Sequence, residues 1–166
     1  MKKRVLGIDP GFALVGFGVV DEVNGRQVAV DYGVISTPKE DKFAFRLQTI
    51  YDSMTELIKT YRPDEIAIEE LFFFRNQTTV IPVAEARGII VLCGKQNGVP
   101  MYEYTPLQIK QALTGNGRAE KKQIQFMVKS ILGLDKVPKP DDAADAVAVA
   151  LTHLQFNNNL VDNSLQ

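Results

Sequence analysis

The first part of the chain holds short apolar runs separated by turn residues, a pattern typical of β-strands. Three such runs, rich in Val, Ile and Phe, lie at residues 4–9, 12–20 and 27–36. Asn24-Gly25 stands between the second and third runs, and this dipeptide is a strong β-hairpin signal. We therefore expect three consecutive strands at the start of the chain.

The pattern then changes to helical spacing. Apolar side chains recur every three or four positions from residue 41 to residue 61, and Pro63 ends the run. Two further strands are predicted at 65–69 and 99–104, and further helices at 77–97, from 107 onward, at 120–132 and at 141–156. Thr105-Pro106 supplies a cap and a proline where a helix should begin. This order predicts an α/β fold in which helices flank a mixed five-stranded sheet.

The length predicts one domain. The chain has 166 residues, of which 45% are hydrophobic, and we expect residues 1–156 to form the domain and the polar residues 157–166 a frayed tail. No apolar run approaches the ~18 residues of a membrane helix, and the N-terminus lacks a signal-peptide core. We therefore expect a cytoplasmic protein with no membrane partner, in which the single cysteine, Cys93, is a buried apolar side chain.

Charge is balanced overall but is segregated along the chain. The 19 basic and 20 acidic side chains give a net charge of -1, which by itself argues against a nucleic-acid partner. Residues 107–140, however, hold seven basic and two acidic side chains, and residues 141–166 hold four Asp and no Lys or Arg. A local excess of five positive charges is typical of a surface that binds a polyanion, although a solvated helix face has the same composition.

Acidic residues end two of the predicted strands. Asp9 ends the first strand, and Glu69 and Glu70 end the fourth. If these strands are neighbours, Asp9 and one glutamate lie side by side, because strand side chains alternate between the two faces. The pattern leaves open which glutamate faces Asp9.

The last predicted helix adds more carboxylates. Asp141 and Asp142 open it, and Asp145 follows at a spacing that shares a helix face with both. The helix dipole favours acids in a first turn, which accounts for Asp141 and Asp142 but not for Asp145 on an otherwise apolar helix.

Several carboxylates in one place repel one another unless a divalent cation neutralises them. All-oxygen ligands select Mg²⁺ or Mn²⁺. Carboxylates that bridge two such cations make the usual site for displacement at a phosphodiester. The residues thus predict metal-dependent phosphodiester hydrolysis, and the basic segment suits such a substrate.

Five short sequence blocks follow one another along the chain: Leu-Gly-Ile-Asp-Pro-Gly at 6–11, Ala-Ile-Glu at 67–69, Ala-Arg-Gly at 86–88, Ala-Glu-Lys at 119–121 and Asp-Ala-Ala-Asp-Ala at 142–146. In this order and spacing they resemble one known family, the RuvC-type crossover junction endodeoxyribonucleases, which are bacterial Holliday junction resolvases. The resemblance implies an RNase H-like fold of the retroviral integrase superfamily, a homodimer, and two Mg²⁺ per subunit that Mn²⁺ can replace. It also implies paired symmetric nicks in four-way DNA junctions during recombination and repair, and a branch-migration helicase complex as partner.

The resemblance also assigns roles to residues. The family's catalytic, metal-binding acids correspond to Asp9, Glu69, Asp142 and Asp145. DNA contacts correspond to Phe72, Lys110 and Lys121, with Phe73, Arg118 and Lys122 as further candidates. Asp141 is an extra acid, for which we consider helix capping or a share in metal binding. Residues 77–97 are more apolar than one buried face needs, so we expect this helix to contribute to the dimer interface.

Three other interpretations fit parts of the same pattern. Another RNase H-like nuclease, or a less selective branched-DNA resolvase, would use the same acids. An ATPase of the actin and sugar-kinase kind also begins with Gly-Ile-Asp-x-Gly, but it needs a second similar half that 166 residues do not provide. A non-enzymatic junction-binding protein would not need Asp142 and Asp145 on one helix face.

His153 matches no catalytic position of the family. We expect it to be a helix histidine whose hydrogen bonds are satisfied.

Overall fold

The predicted strands form one mixed sheet in the computed structural model, which describes residues 1–71, 77–156 and 164–165. The strands are β1 Lys2–Asp9, β2 Leu14–Val23, β3 Arg26–Ser36, β4 Glu65–Glu69 and β5 Met101–Tyr104. They lie in the order β3-β2-β1-β4-β5, with β1, β2 and β3 antiparallel and β4 and β5 parallel to β1. Asn24 and Gly25 have positive φ angles of 51° and 80° in the β2–β3 turn, which confirms the hairpin.

Helices cover both faces of this sheet. They are α1 Phe43–Tyr61, α2 Gln77–Gln96, α3 Pro106–Thr114, α4 Lys121–Leu132 and α5 Asp141–Phe156. Two hydrophobic clusters form, one involving α1 and α2 and the other α3, α4 and α5. Thr105 caps α3 as predicted, since its side chain accepts a hydrogen bond from the Gln108 backbone. None of the helices in the described residues is long and apolar enough to cross a membrane.

Helix α5 is the central helix of the fold. Its side chains from Ala143 to Leu154 are buried except that of Asp145, and the helix touches β1 and β2 with little side chain between them. A Cβ atom added at Gly7 would lie 2.1 Å from the Ala146 carbonyl oxygen, and one at Gly16 would lie 2.0 Å from the Asp142 carbonyl oxygen. The helix therefore rests on the backbone of the two strands, and only glycine fits at these positions.

A buried hydrogen-bond network lies at the far end of α5. The Tyr104 hydroxyl lies 2.6 Å from His153 Nδ1, and His153 Nε2 bonds to the Glu65 carboxylate. Lys3 forms an ion pair with the same carboxylate at 2.7 Å. Burial lowers the pKa of His153, so the neutral ring accepts from Tyr104 and donates to Glu65. The expectation of a satisfied helix histidine is confirmed, and Cys93 is buried as expected.

Ser164 and Leu165, in the polar C-terminal segment, lie against the edge of the sheet. Ser164 pairs with Tyr102 of β5, and the Leu165 N–H donates to the Met101 carbonyl at 2.9 Å. Leu165 also packs against the α1–α2 cluster. Apolar contact and edge-strand pairing thus hold these two residues against the sheet, a contact that the polar composition of the segment does not predict. Residues 157–163 and 166 lie outside the described part of the chain.

Gly16→Ala should lower the free energy of unfolding by about 1–3 kcal/mol, because the new methyl group overlaps the Asp142 carbonyl and forces α5 away from β2. Urea denaturation followed by circular dichroism measures this change. Gly88→Ala is the control for the glycine change, since an added Cβ there meets no atom of the same chain within 4 Å. Sedimentation velocity checks that both variants have the same oligomeric state, because Gly88 lies on an exposed face of α2. A Gly16→Ala protein as stable as the Gly88→Ala protein would contradict the close contact.

Candidate active site

Two carboxylates meet at the carboxyl end of the central parallel strands. Asp9 is the last residue of β1 and Glu69 the last of β4, and the register pairs Ile8 with Ile68 immediately before them. Glu70 follows the strand, and its backbone N–H donates to the Tyr104 carbonyl at 2.8 Å. The register therefore selects Glu69 as the neighbour of Asp9, the choice that strand periodicity left open.

The first turns of α5 add acids above this pair. Asp142 lies directly over Gly16, which pairs with Asp9 in the β1–β2 ladder. The charges of Asp142 and Asp145 both act on Asp9. The sheet and the helix thus bring Asp9, Glu69, Asp142 and Asp145 together, as the sequence predicted.

Mutual repulsion and burial perturb the titration of this cluster. Burial, followed by the charges of Glu69 and Asp145, raises the pKa of Asp9 to about 9. Burial also raises the pKa of Glu69 and that of Asp145, while Lys121 acts in the opposite direction on both. At neutral pH Asp9 therefore keeps its proton and donates a hydrogen bond to the Glu69 carboxylate.

Lysines enter the site from α3 and α4. Lys121 Nζ lies 3.4 Å from a carboxylate oxygen of Asp145 and 3.4 Å from one of Asp141. Lys110 and Lys121 line a cavity of about 230 Å³ together with Glu69 and Asp145. The site therefore combines buried acids with two cationic side chains that face the same space.

The donor set fits a hard divalent cation, because it consists of carboxylates that raise one another's pKa when no cation neutralises them. Within residues 1–71, 77–156 and 164–165, no group of three or more Asp, Glu, His or Cys side chains has the spacing of a metal site. Asp9 bonds to Glu69, and Asp145 pairs with Lys121. The carboxylates thus lie in one place, but Asp9 and Glu69 share a proton and Asp145 pairs with the ammonium group of Lys121.

A family model described as crossover junction endodeoxyribonuclease RuvC matches residues 5–153. The chain belongs to this family. The crossover junction endodeoxyribonuclease RuvC of Brevibacillus brevis is 55% identical over 153 residues, which cover 92% of each chain.

Solved RuvC structures share the fold of the whole chain. A Thermus thermophilus RuvC structure superposes with a TM-score of 0.89 at 35% identity, covering 99% of this chain and 100% of that one. A structure of the Thermus thermophilus RuvC in complex with Holliday junction substrate superposes with a TM-score of 0.88 at 34% identity, covering 98% and 99%. The RNase H-like fold implied by the resemblance is confirmed.

The expected DNA-contact residues that the structure describes lie in two settings. Lys110 and Lys121 lie beside the acids, whereas Arg118 and Lys122 are exposed near the start of α4. Phe72 and Phe73 fall outside the described residues, so their role stays a prediction. The roles assigned to the acids and lysines are also predictions, which their proximity makes testable.

Sequence reasoning missed the surroundings of Asp141. Its carboxylate is exposed and pairs with Lys139 at 2.9 Å as well as with Lys121. Gln125 of α4 donates to the same carboxylate at 3.3 Å. The position of Lys139, two residues before Asp141, was the available signal, but the contacts with Lys121 and Gln125 depend on the packing of α4 against α5.

Asp9→Asn should stabilise the protein in the presence of chelator, by at least about 1 kcal/mol at pH 8. Unfolded Asp9 ionises near its ordinary pKa of 3.8, whereas the folded residue keeps its proton until about pH 9. The parent therefore loses stability as pH rises between these values, and an asparagine, which donates to Glu69 without ionising, removes that loss.

Urea denaturation of both proteins from pH 5 to pH 9 measures this difference. Asp135→Asn is the control, because Asp135 is exposed. Parallel pH profiles for the parent and the Asp9→Asn protein would show that Asp9 is ionised in the folded state.

Proposed function

We propose that the chain is a metal-dependent endonuclease that resolves four-way DNA junctions by paired symmetric nicks in recombination and repair. The observation that carries this proposal is the convergence of Asp9, Glu69, Asp142 and Asp145 at one end of the sheet in a chain of the RuvC family. The complex of the Thermus thermophilus RuvC with Holliday junction substrate supports the choice of DNA substrate. The helicase partner stays a prediction from the resemblance.

The four acids would hold Mg²⁺, two ions per subunit, with Mn²⁺ as a substitute. Bound divalent cations supply an activated water and stabilise the leaving oxygen in phosphodiester hydrolysis. Asp9 has to release the proton that it shares with Glu69 before both can act as ligands. Lys110 and Lys121 line the adjacent cavity, where they would bind DNA phosphates beside the acids.

Symmetric nicks require two sites, and we assign the dimer contact to α2. Ile81 is 65% exposed and Leu92 47% exposed, and the exposed small residues Ala84 and Gly88 lie between them on the same face. Their spacing of three or four residues forms one stripe along the helix. Two copies that pack through this stripe would place two sets of acids in one dimer, as paired nicks require.

Asp145→Asn should reduce cleavage of a labelled four-way junction in Mg²⁺ by at least about 100-fold and leave junction binding within a few-fold of the parent. The variant keeps the shape of the side chain but removes the negative charge that attracts the divalent cation. Strand-specific end labels map both nicks, and chelator gives the background. Asp135→Asn is the control on an exposed residue. A cleavage rate near that of the parent would remove Asp145 from the proposed site.

The same assay separates the alternatives when four-way, three-way and duplex DNA and an RNA/DNA hybrid are compared. Selective cutting of the four-way junction supports a resolvase, and equal cutting of three-way DNA indicates a less selective branched-DNA nuclease. Preference for the hybrid indicates a ribonuclease H. Binding with no cleavage in Mg²⁺ or Mn²⁺ supports the non-enzymatic junction-binding protein.

Ile81→Glu should convert a dimer into a monomer at micromolar concentration, because the change places a charge in an apolar contact. Sedimentation velocity measures the oligomeric state. Phe126→Glu is the matched control, since Phe126 on α4 is also 65% exposed but lies outside α2. A monomeric parent, or a dimer that Ile81→Glu leaves intact, would overturn the assignment.

A further inference from the structure

Lys121 contacts one of the acids that the proposed function gives to a divalent cation. Its ammonium group lies 3.4 Å from Asp145 and equally far from Asp141. Asp141 also pairs with Lys139, at 2.9 Å. A single lysine is therefore shared between a carboxylate inside the site and a carboxylate at its rim.

The two carboxylates differ in exposure. The Asp141 side chain is 46% exposed and that of Asp145 is 32% exposed, while the Lys121 side chain is 53% exposed. Lys121 is the first residue of α4, and its four-carbon stem lets the ammonium group move while the backbone stays in place. The lysine can therefore leave Asp145 and keep Asp141 as a partner.

We propose that Lys121 is an internal counterion that occupies Asp145 in the metal-free protein and moves towards Asp141 when a divalent cation takes that carboxylate. This inference rests on the proposed function, because it takes Asp145 to be a metal ligand. Asp141 is a positioning residue in this arrangement. It keeps the displaced lysine at the rim of the site, where a DNA phosphate can bind it.

The electrostatic reason is competition for one carboxylate oxygen. The ammonium group must be moved from Asp145 before that oxygen can ligate a cation, so the ion pair is a cost that cation binding has to overcome. Lys110 lines the same cavity and its charge acts on Glu69, but among the described residues no ion pair joins it to Asp145. Removal of Lys121 should consequently favour cation binding more than removal of Lys110 does.

Calorimetric titration of the full chain with Mn²⁺, without DNA, tests this competition. Lys121→Gln should bind Mn²⁺ about three- to five-fold more tightly than the parent, the range expected for loss of a partly exposed ion pair. Lys110→Gln, which removes the same charge from the same cavity, should change the affinity by less. Equal gains in the two variants would show that only net charge matters, and no gain in Lys121→Gln would overturn the proposal.

A double-mutant cycle tests the part assigned to Asp141. Asp141→Asn should weaken Mn²⁺ binding when Lys121 is present, because the lysine then loses Asp141 as a partner and stays on Asp145, where it competes with the cation. The same change should have a smaller effect in the Lys121→Gln background. An equal effect in both backgrounds would show that Asp141 acts through its own charge and not through the lysine.

The outcomes distinguish this inference from the proposed function. Asp145→Asn should abolish the Mn²⁺ heat that the parent gives, and circular dichroism checks that each variant is folded. Absence of Mn²⁺ binding by the parent would count against the metal site itself and remove the basis of the inference. Binding by the parent that Lys121→Gln does not strengthen would overturn the inference alone.

Discussion

The contact between α5 and the backbone of β1 and β2 determines the geometry of the rest of the molecule. Gly7 and Gly16 leave no room for side chains beneath the helix. The acids on the helix and the acid that ends β1 are consequently held at the distance of two backbones in contact, and parallel pairing of β1 with β4 adds Glu69. A side chain at Gly7 or Gly16 would prevent this close packing, and the packing brings the negatively charged acids together.

That arrangement has an electrostatic cost, which the protein offsets in two ways when no cation is bound. A proton on Asp9 joins it to Glu69, and the ammonium group of Lys121 faces Asp145. Both devices reduce repulsion in a partly buried cluster, where an uncompensated charge is unfavourable. The proton and the lysine occupy ligand atoms that the proposed chemistry needs, so the stability of the metal-free fold and readiness for metal binding are opposed.

Much of this could be predicted from the sequence, because its signals are local. Strand and helix periodicity, Asn24-Gly25 and Thr105-Pro106 located the elements within a few residues. Acids at strand ends also indicated where charge would gather. The choice of Glu69 over Glu70 required strand register or family resemblance, since both residues follow the same apolar run. The contacts of Asp141 depend on how α4 packs against α5, a long-range arrangement that periodicity does not encode.

The buried network of Tyr104, His153 and Glu65 restricts how the site can move. Glu65 begins β4, whose last residue is Glu69, and His153 lies eight residues, about 12 Å, beyond Asp145 on α5. Strand β4 and helix α5, which carry three of the four acids, are thus joined by hydrogen bonds at the opposite end as well. Sliding of α5 along the sheet would break these hydrogen bonds. The network therefore favours adjustment to a substrate by rotation of exposed side chains over sliding of α5 along the sheet.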